Sequence, residues 1–150
     1  MTPKERAEKA AVIFEEGYNC AQAVVLSFAD ELDMDRETLA RLASSFGGGM
    51  GRLREVCGAA SGMFLVYGMV RGYSEADDTE GKKEQYTAIQ AMAAEFKKKH
   101  ESIVCRELLK KPEGPDEYTP AERTDAYYAD RPCTACVKDA ARILESFLRK

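Results

Sequence analysis

Apolar residues recur at three- and four-residue steps through nearly every segment of this sequence, a spacing typical of helices that bury one face. No segment of useful length alternates apolar and polar residues, as a half-buried β-strand would. The pattern therefore predicts an all-α fold, a bundle of six to seven helices. Because 150 residues lie within the usual size of one domain, we expect residues 1–150 to form a single helical domain.

The longest apolar stretch, from Leu53 to Val70, predicts a buried helix. This stretch contains Gly58, Gly62 and Gly68, and each glycine costs about 1 kcal/mol relative to alanine inside a helix. The small side chains around Ala59 offer a compensation, because they would allow a second helix or a ligand to lie against the backbone.

Proline and glycine residues between Lys111 and Arg131 predict a connecting loop of about 20 residues, and loops of that length are commonly functional or disordered. A last helix is expected from Asp130–Pro132 to the C-terminus. Three tyrosines flank or occupy the loop, and they would either cover a site as a lid or anchor the loop by packing. They are Tyr118, Tyr127 and Tyr128.

The charge and hydropathy of the chain exclude several classes of protein. A net charge of −4 argues against a protein that holds nucleic acid by bulk positive charge. No window approaches the roughly 18 apolar residues that a membrane-spanning helix needs, and the charged first residues lack the apolar region of a signal peptide. We therefore expect a cytoplasmic protein that binds no nucleic acid and does not span a membrane.

Five cysteines are unexpected in such a protein, because a reducing compartment does not favour structural disulfides. Thiols there serve as packing residues, metal ligands or redox groups. Each cysteine falls on the apolar face of a predicted helix and close to its start, where free N–H groups favour a thiolate or an anionic cluster. The five are Cys20, Cys57, Cys105, Cys133 and Cys136.

The spacing of Cys133 and Cys136 is the sharpest local signal. Residues three apart share one face of a helix, so the two sulfur atoms would chelate one metal or form a short disulfide. The sequence has no second CxxC pair, which disfavours a zinc ribbon. Any further ligands would therefore come from Cys20, Cys57 or Cys105 on other helices.

The cysteines and their neighbours resemble the C_GCAxxG_C_C family of redox-active proteins, which is named for its cysteine pattern. Cys20 and Cys105 match single cysteines of that pattern, residues 57–62 read Cys-Gly-Ala-Ala-Ser-Gly, and Cys133 and Cys136 stand near the end. The resemblance implies a small helical protein that uses Cys20, Cys57, Cys105 and one of the terminal pair. A related domain holds an iron centre in some multihaem cytochromes, and this implies an iron–sulfur cluster.

Three hypotheses remain open. In the first, all five cysteines are candidate ligands of a metal centre for electron transfer or redox sensing, an iron–sulfur cluster or else zinc, with Gly58, Ala59 and Gly62 making room for it. In the second, the protein exchanges thiols and disulfides without a metal, and Cys133 or Cys136 is the nucleophile. In the third, the thiols merely pack inside a partner-binding module that self-associates as a homo-oligomer. The electron donor or acceptor is not identified by the sequence.

Two further features have alternative interpretations. The glycine-rich segment 47–51, followed by Arg52 and Arg54, would bind an anion, form a flexible turn or donate its amides to a cluster sulfur. It lacks the ending of a phosphate-binding P-loop. His100, the single histidine, lies in a basic helix end, where we expect it to be exposed to solvent. A cysteine–histidine nucleophile would require His100 to lie near a thiol.

Overall fold

The chain folds into helices joined by turns in the computed structural model, which describes residues 1–112 and 114–150. Within those ranges, extended segments pair only at an isolated bridge between Val56 and Val104. This confirms the predicted all-α class. A 3₁₀ turn covers Ala29–Glu31, and the helices are α1 Pro3–Glu15, α2 Cys20–Leu26, α3 Arg36–Ala43, α4 Gly47–Met50, α5 Gly58–Arg71, α6 Thr79–His100, α7 Cys105–Leu108, α8 Asp125–Asp130 and α9 Cys133–Leu148.

Side-chain caps fix where the first helices begin. Thr2 caps α1 by accepting a backbone N–H at 3.0 Å. Asn19 accepts the N–H of Gln22 at 2.8 Å, and the Gln22 side chain accepts the N–H of Asn19 at 3.1 Å. Such a reciprocal box satisfies N–H groups that have no partner within the helix. Both starts agree with the sequence, and the second makes Cys20 the first residue of α2.

Helix α9 is the centre of the bundle, because it packs against α1, α2, α5 and α6. Helix α2 also lies close along α5, and a Cβ atom added to Gly62 would stand only 2.8 Å from the Ala21 carbonyl oxygen. The small residues of α5 therefore admit a neighbouring helix. In the part of the chain that is described, no helix combines the length and the hydrophobicity needed to cross a membrane.

The segment between α3 and α5 differs from the prediction. Helix α5 begins at Gly58 rather than near Leu53, because most of the backbone from Gly48 to Arg54 is left-handed and cannot belong to a right-handed helix. For the same reason α4 is an irregular turn rather than a regular helix. A left-handed residue other than glycine costs about 1–2 kcal/mol. Six residues have φ between 60° and 69°: Gly48, Gly49, Met50, Gly51, Arg52 and Arg54.

The predicted loop between Lys111 and Arg131 contains helix α8, so the expectation of a loop without helices was wrong. Thr124 starts α8 by accepting the N–H of Tyr127 at 3.1 Å. Arg123 anchors the segment, because it donates to the carbonyl oxygens of Phe14 and Tyr18 at 3.2 and 3.0 Å. Residue 113 of the predicted loop lies outside the described ranges.

Candidate functional site

All five cysteines line one cavity of about 30 Å³, which we call the thiol cavity. Their sulfur atoms are free thiols. Four helix starts contribute them: Cys20, Cys105 and Cys133 are the first residues of α2, α7 and α9, and Cys57 immediately precedes α5. Cys136 follows one helical turn after Cys133. A cavity of this volume holds about two water molecules, so the thiols are tightly packed.

Two backbone contacts and two glycines bring these helix starts together. The N–H of Cys57 donates to the Ile103 carbonyl at 2.7 Å, and the N–H of Cys105 donates to the Glu55 carbonyl at 2.6 Å. A Cβ atom on Gly58 would lie 2.8 Å from the Cys20 sulfur. A Cβ atom on Gly49 would similarly lie 2.6 Å from Cys105 Cβ. Side chains at the two glycine positions would push cysteines out of place.

Three of the sulfur atoms receive N–H donors. The backbone N–H of Gly48 donates to Cys20, so this amide of the glycine-rich segment reaches a sulfur, one of the three predicted alternatives. The first N–H groups of α5 donate to Cys57. The buried Arg54 guanidinium donates from Nη1 to the Cys105 sulfur at 3.5 Å. Such donors stabilise negative charge on sulfur.

Burial nevertheless keeps these thiols protonated. Burial, with the neighbouring Cys57 thiol as a second cause, raises the pKa of Cys20 to about 11. Burial and the nearby Cys20 raise the pKa of Cys133 to about 12. A hydrogen bond with Cys136, followed by burial, raises the pKa of Cys57 well above its ordinary value. Burial also raises the pKa of Cys105, although Arg54 opposes the change.

Cys57 and Cys136 belong to a row of contacts that continues into α6. The two thiols are neighbours in the thiol cavity, and Cys136 is the first cause of the raised pKa of Cys57. On the far side of Cys136, its sulfur lies 3.8 Å from Nδ1 of His100. Nε2 of the same ring lies 2.7 Å from Oδ2 of Asp139. A neutral ring that donates Nε2–H to Asp139 presents the lone pair of Nδ1 to the Cys136 thiol.

The position of His100 corrects the expectation that this residue is exposed. Its side chain is only 11% exposed, because the ring stacks on Phe96 with centroids 4.7 Å apart and is held by Asp139. Sequence reasoning also missed Asp139. The signal was present, because Asp139 continues the three-residue steps of Cys133 and Cys136 along the apolar face of α9.

The remaining expected site residues occupy different places. Gly58 lines the thiol cavity, and the N–H of Ala59 donates to Cys57. Gly62 contacts α2 instead. Among the tyrosines, Tyr127 lines the cavity, Tyr118 is 88% exposed, and Tyr128 packs edge-on against Phe14 with ring centroids 5.6 Å apart.

The thiols supply the donor chemistry that soft metals prefer. The thiols are not arranged as metal ligands, because within residues 1–112 and 114–150 no three Cys, His, Asp or Glu side chains are grouped so that they could hold one metal ion. Side chains would have to turn before several sulfur atoms shared one metal.

The comparisons with known proteins agree with the cysteine pattern. Residues 18–147 match the family described as "Putative redox-active protein (C_GCAxxG_C_C)". The match includes every cysteine of the thiol cavity. No curated protein and no solved structure matches the chain. Because the matched region covers most of the sequence, the chain belongs to the C_GCAxxG_C_C family of redox-active proteins.

Proposed function

We propose that this protein carries out thiol–disulfide exchange, with Cys57 and Cys136 as the pair that stores two electrons. The observation that carries the proposal is that these two buried thiols are neighbours in the thiol cavity, where Cys136 is the first cause of the raised pKa of Cys57. His100 lies against Cys136 on the other side, where it can accept the proton that a thiol must lose before it attacks sulfur.

Cys20 and Cys133 are the half-buried thiols, whereas Cys57 and Cys136 are only 6% and 1% exposed, and we assign the first contact with an external disulfide to Cys20. Cys20 loses its proton to solvent, and its thiolate attacks one sulfur of the external disulfide. The external S–S bond breaks, a mixed disulfide forms on Cys20, and one external thiol leaves with a proton from solvent.

Exchange then passes inward. Cys57 attacks the Cys20 sulfur, the mixed disulfide breaks, and the second external sulfur leaves as a thiol with the proton that Cys57 gives up. Cys136 gives its proton to His100 and attacks the Cys57 sulfur of the Cys20–Cys57 disulfide. The Cys20 sulfur leaves as a thiolate, which takes a proton from solvent while His100 returns its proton to solvent. In the balance, two thiols lose two electrons and two protons to become the Cys57–Cys136 disulfide, while one external disulfide becomes two thiols.

The test is to equilibrate the protein with mixtures of reduced and oxidised dithiothreitol, block free thiols in acid and map disulfides by peptide mass spectrometry. We expect a two-electron transition that ends in a Cys57–Cys136 bond. Cys57→Ser and Cys136→Ser should abolish the transition, whereas the matched control Cys133→Ser should keep it. A Cys133–Cys136 bond, or no defined transition, would overturn the proposal.

A metal centre is the second candidate, and a separate observation favours it. Three cavity thiols receive the N–H donors described above, and such donors also stabilise metal-bound thiolates. Cys20, Cys57, Cys105 and one of Cys133 and Cys136 would hold an iron–sulfur cluster, and zinc suits the same thiolate set. When bound, a cluster would supply one-electron transfer.

Anaerobic purification followed by iron, sulfide and zinc analysis tests this second candidate. Iron with an equal amount of sulfide, lost in Cys20→Ser and Cys105→Ser, would favour the cluster. Zinc alone, lost in the same variants, would favour a structural metal. Protein without metal that shows the two-electron transition would leave only the thiol–disulfide proposal.

A further inference from the structure

A second, larger cavity of about 260 Å³ adjoins the thiol cavity. It lies between the left-handed segment 47–54 and the segment that leads into α8. The two cavities share four lining residues, Cys20, Arg54, Tyr127 and Arg131. A molecule that fills the larger cavity would therefore contact Cys20, one of the two half-buried thiols and the one that lines this cavity.

Positive charge dominates this larger cavity, which we call the arginine pocket. Its lining includes four arginines and, among the residues that are described, neither Asp nor Glu. Asp116 lies beside the pocket, where it accepts from Arg54 Nε at 2.8 Å and also pairs with Lys111 and Arg52. The four are Arg52, Arg54, Arg123 and Arg131.

Two of these arginines carry no ion pair within the described ranges. Arg123 is held by backbone carbonyl oxygens, with its guanidinium carbon 4.9 Å from the centre of the Tyr127 ring. Arg131 lies over the same ring at 4.5 Å. Cations held by carbonyl oxygens and an aromatic face keep their charge available to a ligand.

Arg54 provides an independent indication of a ligand. Its side chain is 3% exposed. Nε donates to Asp116 and Nη1 to the Cys105 sulfur, but the buried Nη2 has no hydrogen-bond partner in the described part of the chain. A buried donor without a partner costs about 1–3 kcal/mol, and more when it is charged. An acceptor in the adjoining pocket would remove that cost.

We infer that the arginine pocket binds the carboxylate of a small organic disulfide and so presents its S–S bond to Cys20. The volume suits a molecule of a few heavy atoms, since pockets for drug-sized ligands are commonly larger, about 300–1,000 Å³. The disulfide part of this inference rests on the proposed function. The carboxylate part rests on the pocket alone and is measured separately.

Binding is measured first with thiodiglycolate, a dicarboxylate thioether that cannot exchange with thiols, by titration calorimetry on the reduced full chain. The uncharged bis(2-hydroxyethyl) sulfide is the ligand control. Arg131→Gln and Arg52→Gln should each weaken thiodiglycolate binding about tenfold, the loss of one charged hydrogen bond. Arg41→Gln, an equal change of charge on α3 away from the pocket, should leave binding unchanged.

Reaction rates then test presentation to Cys20. For each disulfide, the rate at which it oxidises the protein is divided by the rate at which it oxidises free cysteine. This relative rate should be higher for dithiodiglycolate than for the neutral bis(2-hydroxyethyl) disulfide and the cationic cystamine. Arg131→Gln should reduce the ratio of the dithiodiglycolate rate to the neutral-disulfide rate about tenfold. Equal relative rates for the three disulfides would overturn the inference.

The two proposals fail in different ways. Thiodiglycolate binding without reaction of any disulfide would remove the thiol–disulfide function and with it the disulfide part of the inference. Reaction of all disulfides without thiodiglycolate binding would remove the arginine pocket as a carboxylate site. If Arg41→Gln weakens thiodiglycolate binding as strongly as Arg131→Gln does, the ligand is attracted by the overall charge of the protein. That result would also contradict the arginine pocket as a carboxylate site.

Discussion

The Nε2 atom of His100 lies 2.7 Å from the carboxylate of Asp139, across the contact between α6 and α9. This contact orients the ring so that Nδ1 lies 3.8 Å from the Cys136 sulfur. Lys99 and Arg142 also pair with Asp139. The proposed function uses the only histidine in the sequence as the proton acceptor for this buried thiol.

His100→Gln should slow formation of the Cys57–Cys136 disulfide by about 100-fold or more, because general-base catalysis commonly supplies about 10²–10⁴-fold. Stopped-flow oxidation, followed by mass spectrometry of quenched samples, measures the rate. Asp139→Asn should slow the step less and change its pH profile. Lys98→Gln, at the same exposed helix end, is the control. An unchanged pH profile in both site variants would mean that the row of contacts is structural only.

Oxidation should stabilise the fold. A Cys57–Cys136 bond would join the start of α5 to α9 across about 80 residues, and closing so long a loop contributes about 2–4 kcal/mol. Urea unfolding of the oxidised and reduced protein measures the difference. Cys133→Ser should show the same gain. A gain that disappears in Cys133→Ser would indicate the four-residue Cys133–Cys136 ring instead, since so short a loop contributes only about 2 kcal/mol.

Alkaline pH should destabilise the reduced protein. The folded-state pKa values of Cys20, about 11, and Cys133, about 12, lie above the ordinary value of 9.0. Between pH 9 and about 11 the unfolded chain loses thiol protons that the folded chain retains. The free energy of unfolding should therefore fall by about 1.4 kcal/mol per pH unit for each thiol. Below pH 9 both thiols are protonated in the folded and the unfolded chain, so their contribution to the free energy of unfolding is fully present there.

Urea unfolding between pH 8 and 10.5, under reducing conditions, measures that slope. The double variant Cys20→Ser, Cys133→Ser removes both thiols and leaves the titrating lysines and tyrosines in place. Its slope should be visibly shallower. Identical slopes in the two proteins would show that these thiols keep ordinary pKa values in the folded state.

Replacing either of two glycines in α5 with alanine should change the stability of the protein in opposite directions. At Gly58 a Cβ atom would lie 2.8 Å from the Cys20 sulfur and 2.9 Å from the Phe46 carbonyl, so Gly58→Ala should destabilise by about 1–3 kcal/mol. At Gly68 the nearest atom, from the flexible Gln85 side chain, is 3.6 Å away. Gly68→Ala should therefore stabilise by up to about 1 kcal/mol. Unfolding midpoints of the two variants provide the comparison, and equal shifts would contradict it.

The sequence was sufficient for the helical class and for the starts of α1 and α2. Local rules decide those features: Asn19 caps α2, Thr2 caps α1, and apolar spacing marks the buried faces. The predicted start of α5 was too early, because apolar spacing continues through residues 53–57. The left-handed backbone before α5, which ends at Arg54, leaves no periodic signal in the sequence.

The contacts between distant segments could not be predicted in the same way. His100 follows three lysines in a polar helix end, and only the packing of α6 on α9 turns it toward Cys136. The closeness of Cys57 and Cys136 likewise depends on how two helices cross. The three-residue spacing along α9 had instead predicted that Cys136 pairs with Cys133.

The separate origins of the two adjoining cavities have an evolutionary consequence. Helix starts supply the sulfur atoms of the thiol cavity. The segment from residue 123 to residue 131, which includes α8, supplies Arg123, Tyr127 and Arg131 to the arginine pocket. Insertions or replacements in that segment would alter which molecules are admitted while the sulfur atoms keep their positions. If the thiol cavity stores electrons as proposed, related proteins would accept different reactants by exchanging this one stretch of chain while the cavity is kept.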